Sequence, residues 1–91
     1  ACILLIPEVF DVAVFGIPDE QFGESLAAAI QLHTGAELSP EQIIEQLRKE
    51  IANYKIPRTF TFHENLPRED TGKIFKRLLR QPYWDAAGRQ I

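Results

Sequence analysis

The sequence predicts an α+β domain: a small, mainly three-stranded mixed sheet flanked by helices. Three observations carry this prediction. Two β-rich runs, 9–15 and 26–32, are joined by a short polar stretch. A capped amphipathic helix follows, and a third run rich in threonine and phenylalanine comes after it. The order strand–strand–helix–strand–helix leaves a small sheet whose apolar face must be covered by helices.

The elements follow in chain order. Ala1 to Ile6 is apolar and reads as a helix end or a short strand, stopped by Pro7. Val9, Phe10, Val12, Val14 and Phe15 make a strand that is expected to end at Gly16-Ile17-Pro18-Asp19. Leu26 to Leu32 is ambiguous because of the alanines at 27 to 29. Its length and its flanks, Glu24-Ser25 and His33-Thr34-Gly35, favour a strand, and the link Asp19–Gly23 favours an antiparallel pair.

A helix is expected over 40–52. Ser39 is the N-cap, Pro40 takes the first helical position, and Gln42 completes a capping box. Leu38 and Ile43 can staple its start. Ile43, Ile44, Leu47 and Ile51 share one face, with Glu41, Glu45, Arg48 and Lys49 away from it. Asn53 suits a left-handed stop. Tyr54 to Pro57 leads into a third strand, Thr59 to His63. A last helical element begins after Lys73. Ile74, Phe75, Leu78 and Leu79 form its expected apolar stripe, Lys76, Arg77 and Arg80 face outward, and Pro82 ends it, with Tyr83 and Trp84 folding back.

Composition bounds the function. Ninety-one residues make one domain with a small core. At 45% hydrophobic and 25% charged residues the chain is ordered globular protein. A net charge of −3 argues against nucleic acid as a partner. The single cysteine, Cys2, permits no internal disulfide and fits a reducing, cytoplasmic compartment. His33 and His63 are isolated strand-end residues, and no His/Cys spacing fits zinc. No apolar run approaches the ~20 residues of a membrane-spanning helix. The opening residues lack a basic leader and an initiator methionine, as expected of a fragment of a longer chain.

The stretch that carries chemistry is Leu66-Pro67-Arg68-Glu69-Asp70-Thr71-Gly72-Lys73-Ile74-Phe75-Lys76-Arg77. Gly72 permits turn geometry closed to other residues, so Lys73 can be pushed out from the scaffold. A P-loop is excluded: Pro67 stands where its first glycine is required, and Ile74 where its magnesium-binding hydroxyl belongs. Two readings of Lys73 remain, a solvated turn lysine beside a helix or a cation presented to an anionic ligand. Glu69 and Asp70 read as solvated loop charges.

The pattern of Pro67, Thr71-Gly72-Lys73 and Lys76-Arg77 resembles the C-terminal lysine motif of the adenylate-forming acyl-CoA synthetases. The resemblance covers nearly the whole chain. Pro7 to Asp19 looks like the strand and Gly-x-Pro-Asp turn that open the sheet in this superfamily, and Phe22-Gly23-Glu24 like its continuation. Gly35 to Ser39, Tyr54 to Arg58 and Leu66-Pro67-Arg68 fall in the family's order. Arg80-Gln81-Pro82-Tyr83-Trp84 is similar to the ends of bacterial fatty-acyl-CoA synthetases.

The resemblance implies that residues 1–91 are a C-terminal lid domain. A hinge, a glycine-rich hairpin and a large N-terminal adenylation domain, which binds ATP with magnesium and the carboxylic (fatty) acid, would lie outside them. It implies a two-step reaction, acyl-AMP formation and then displacement of AMP by CoA, with the C-terminal domain rotating between steps. The chain by itself is expected to be inactive. Lys73 matches the adenylation lysine, and Thr71 and Gly72 would shape its loop. Arg48 matches a position that contacts a CoA phosphate in some relatives. Arg48, Lys49 and Lys55 could form a phosphate-holding cluster, or Arg48 and Lys49 could simply complement the helix dipole. Lys76, Arg77 and Arg80 would pack against the large domain or stay solvated. The rivals are an acyl-AMP ligase that loads a carrier protein and a non-catalytic α+β interaction module.

Overall fold

The computed structural model describes residues 2–19, 23–49 and 56–87. The architecture is α+β. Three strands, β1 (Val9–Asp19), β2 (Gly23–Leu32) and β3 (Thr59–His63), form a sheet in the order β1-β2-β3. β1 and β2 are antiparallel and β2 and β3 parallel, so the sheet is mixed as predicted. Helix α1 (Pro40–Arg48) provides the crossover between the parallel strands, and α2 (Lys76–Ala86) follows β3. The opening apolar run is a short 3₁₀ turn, Cys2–Leu5. No helix of the described residues is long and apolar enough to cross a membrane.

The sheet is covered on both faces. On one, Ile3, Ile6, Val9, Ala28, Ile30, Ile43 and Leu47 bury against each other, bringing in the 3₁₀ turn and α1. On the other, Ala13, Phe15, Ile17, Ala27, Ala29 and Leu66 pack with Ile74, Leu79 and Tyr83. β2 is central, which explains its composition: Ala27, Ala28, Ala29 and Ile30 are all buried, because neighbouring residues face opposite covered layers.

The capping box of α1 forms as predicted. Gln42 N donates to Ser39 Oγ at 3.2 Å and Ser39 N donates to Gln42 Oε1 at 2.8 Å. Leu38 and Ile43 meet in one cluster. The described helix ends at Arg48, with Lys49 as its C-cap. Positions 50–52, including Ile51, and the expected stop at Asn53 lie outside the described residues.

Some boundaries differ from the sequence reading. β2 starts at Gly23 rather than Leu26, because Gly23, Glu24 and Ser25 pair with the end of β1. The stretch Gly16-Ile17-Pro18-Asp19, expected as the turn that ends β1, is itself strand through to Asp19, with Pro18 opposite Glu24. An edge strand accommodates this, since proline's missing N–H is not needed there. The strand also carries a bulge between Val9 and Asp11, which leaves Phe10 as the extra residue. In α2, Pro82 lies inside the helix, which continues to Ala86. The lost N–H would have served the carbonyl of Leu78, a residue 56% exposed, so water can take the bond. Beyond the proline, Tyr83 packs on Phe15 with ring centroids 6.2 Å apart. Trp84 Nε1 donates to the Gly16 carbonyl at 3.0 Å. These contacts hold the last turn of α2 on the sheet. The stripe facing the sheet is therefore buried Trp84 with half-buried Leu79 and Tyr83, whereas Leu78 faces solvent and Ile74 precedes the helix.

Candidate functional site

The lysine loop is a miniature hairpin. Arg68 and Ile74 form an antiparallel bridge. Phe75 N donates to Pro67 O at 2.8 Å, Glu69 N to Lys73 O at 2.8 Å, and Gly72 N to Glu69 O at 2.9 Å. A tight turn closed by a left-handed residue requires glycine, and Gly72 has φ of +88°. Any Cβ there would meet no neighbour but would sit in strained backbone. Glu69, Asp70, Thr71, Gly72 and Lys73 are all exposed at the tip. Lys73 thus stands on a turn closed by three backbone hydrogen bonds.

The hairpin is seated on the face of the sheet that α2 covers. Leu66 is buried in that core and Ile74 packs against it. Two polar side chains of the sheet hold its first strand. Gln31 Oε1 accepts from Leu66 N at 3.1 Å. Asp11 Oδ2 pairs with Arg68 Nη2 at 2.6 Å, and the other terminal nitrogen of Arg68 donates to Gly72 O at 3.1 Å. Asp11 and Gln31 are directly opposite one another in the β1–β2 ladder. In the sequence Arg68 and Asp11 stand only inside longer motifs, and Gln31 only inside the alanine-rich run. No local signal marks them, since Arg68 and Asp11 are 57 positions apart.

The second group of cations is elsewhere. Arg48 and Lys49 are exposed at the C-terminal end of α1, where positive charge complements the helix dipole. Lys55 lies outside the described residues. α1 belongs to the opposite core from Leu66 and Ile74, so Lys73 and the Arg48–Lys49 pair sit on opposite faces of the sheet. Lys76 and Arg77 are exposed at the start of α2, while Arg80 is half-buried rather than fully outward. His33 lies edge-on to Phe10 at 5.3 Å, and the ring of His63 is 2.8 Å from Thr61 Oγ1. Both histidines stand at strand ends, as expected.

This fold, with a glycine-presented lysine beyond β3, defines a class. Residues 1–73 match the family described as the AMP-binding enzyme C-terminal domain. The chain belongs to that family, as a C-terminal domain of adenylate-forming ligases. It is similar to the long-chain-fatty-acid–CoA ligase FadD13 of Mycobacterium tuberculosis, at 46% identity over 81 residues, 89% of this chain and 16% of that protein. The fatty acid–[acyl-carrier-protein] ligase ScoC of Streptomyces coeruleorubidus is 33% identical over 85 residues, 93% of this chain and 16% of that one. Apo MatB from Rhodopseudomonas palustris superposes with a TM-score of 0.86 at 34% identity, covering 93% of this chain and 17% of MatB. The chain therefore spans about one sixth of the length of these relatives.

Proposed function

We propose that the chain is the mobile C-terminal domain of an ATP-dependent acyl-CoA synthetase acting on a fatty acid, with Lys73 as its adenylation residue. The observation that carries this reading is an exposed ammonium on a hairpin tip held by Gly72. In the first step a carboxylate oxygen attacks the α-phosphorus of ATP, and the bond to the departing pyrophosphate breaks. Negative charge gathers where the carboxylate and α-phosphate meet. A long-stemmed cation entering with the closing domain neutralises that charge and orients two mutually repelling anions. A branched guanidinium fits such a site less well. Thr71 and Gly72 shape the tip. In the second step a thiol displaces AMP, and the domain turns its other face inward.

The opposite-face placement of Arg48 and Lys49 supports their use in that second step, as partners of a CoA phosphate. Arg48→Glu in the longer protein is then expected to raise the KM for CoA about tenfold to a hundredfold, since charged hydrogen bonds are lost and repulsion replaces them. Acyl-adenylate formation is spared. A variant with normal CoA kinetics and only a lower melting temperature shows instead that Arg48 serves the helix dipole. That result favours the second reading, a ligase that loads a carrier protein, which the likeness to ScoC supports.

The 91-residue chain alone is expected to fold without catalysing. Lys73 and the Arg48–Lys49 pair lie on opposite faces rather than converging on one triphosphate site. The check is acid-dependent pyrophosphate release from the purified chain, compared with the longer protein. Equal rates overturn the reading of this chain as a lid.

A further inference from the structure

We propose that Asp11, Gln31 and Arg68 form a clamp that sets the position of the Lys73 hairpin on the sheet, Arg68 being its keystone. The proposal rests on the adenylation reading of Lys73 and names positioning residues for it. None of the three is assigned contact with substrate.

The bulge at Phe10 is where the clamp originates. Strict alternation would place Val9 and Asp11 on one face of the sheet. The extra residue breaks that parity. Val9 is buried in the core under α1, while Asp11 shares the other face with Ala13, Phe15 and Ile17. The bulge thereby delivers a carboxylate to the layer in which Leu66 and Ile74 lie. Asp11 Oδ1 also accepts the N–H of Val12 at 2.9 Å, which fixes the carboxylate's orientation on its own strand. Across the ladder, Gln31 presents an amide oxygen on the same face. The two side chains take successive grips on the hairpin's first strand, one on the backbone of Leu66 and one on the side chain of Arg68.

Arg68 then extends the grip to the tip. Its guanidinium reaches the sheet with one nitrogen and the Gly72 carbonyl with the other. Gly72 immediately precedes Lys73, so the carbonyl held by Arg68 belongs to the peptide bond from which Lys73 departs. The backbone bonds of the hairpin fix its internal shape but do not fix its angle to the sheet. The side-chain clamp does, alongside the packing of Leu66 and Ile74. At 35% and 24% exposure the Arg68 and Asp11 side chains are partly shielded, which keeps salt from dissolving the pair completely. An ion pair this exposed adds little to global stability. Its effect is expected in the placement of the ammonium, where an error of about 1 Å can cost as much as a hundredfold in rate.

The test uses both half-reactions in the longer protein and amide exchange in the 91-residue chain. Arg68→Ala is expected to slow acyl-adenylate formation at saturating ATP about tenfold to a hundredfold. The KM for ATP and the thioester step from preformed acyl-AMP should stay within about twofold, because only a transition-state contact is misplaced. Asp11→Ala should act in the same direction, and the double variant should be no slower than Arg68→Ala, since both changes open one clamp. Arg68→Lys should fall between, because one ammonium cannot span both partners as a forked guanidinium does. In the chain, Arg68→Ala should speed exchange at the Gly72 and Phe75 amides about tenfold while the amide of Ala29, in the central strand, is unchanged. Additive losses in the double variant, or equal losses in both half-reactions, overturn the clamp. If Lys73→Ala abolishes adenylation but Arg68→Ala changes neither rate nor exchange, the clamp alone fails. If Lys73→Ala leaves adenylation intact while Arg68→Ala still speeds exchange at Gly72 and Phe75, the clamp stands as structure and the adenylation reading fails.

Discussion

Lys73→Ala in the longer protein is expected to lower acyl-adenylate formation by about 10²–10³, the loss typical when one charge-stabilising contact is removed from a transition state. Conversion of preformed acyl-AMP to thioester should change far less. The asymmetry follows from position. Lys73 is at the exposed tip of a hairpin on one face of the sheet, and Arg48 and Lys49, the cations proposed for the second step, are on the other. A domain that turns between steps cannot present both faces at once. Measuring the two half-reactions separately decides the matter. Equal loss in both would show that Lys73 supports the fold or that both steps use one orientation. Hairpin shape should survive the substitution, since the Lys73 backbone carbonyl, which accepts from Glu69, is retained.

The second large effect is on stability. Trp84→Ala is expected to cost about 3–5 kcal/mol, the usual range for truncating a buried aromatic residue. Trp84 is only 9% exposed, and its indole N–H satisfies the Gly16 carbonyl at mid-strand. The substitution removes the ring and leaves that carbonyl without its partner. In a domain of this size the melting temperature should fall by roughly 15–30 °C. Trp84→Phe keeps most of the packing and should lose only about 1 kcal/mol for the hydrogen bond. A fall below about 5 °C for the alanine variant would mean that the last turn of α2 contributes little. The change reaches the site as well. Ile74, Leu79 and Tyr83 share one core with Leu66, so loosening α2 loosens the seat of the lysine hairpin.

Much of this was legible in the residues, for local reasons. The capping box depends on Ser39 and Gln42, three positions apart, and the turn at the lysine depends on one left-handed glycine. Such signals act over a few residues, so they survive without tertiary context. The alanine-rich run was ambiguous by pattern, because a strand covered on both faces loses its alternation. α2 shows the opposite case. Pro82 is a valid stop signal locally, but Tyr83 and Trp84 have docking partners on β1, at Phe15 and Gly16, that compensate for the missing bond.

The residues by themselves determined the α+β class, the existence and order of the strands and helices, the family, and the lysine worth testing. The family rests on a resemblance that runs through nearly the whole chain, and the others on periodicity, capping or a motif read over short spans. The tertiary structure decided where β1 and α2 end, which face of the sheet each cation occupies, and how the lysine hairpin is held. Those depend on which elements pack together. A bulge at Phe10 turns Asp11 toward a partner 57 positions away, and Gln31 reaches Leu66 from the neighbouring strand. No short-range pattern encodes such a meeting, because it exists only once the sheet has formed and both of its faces are covered.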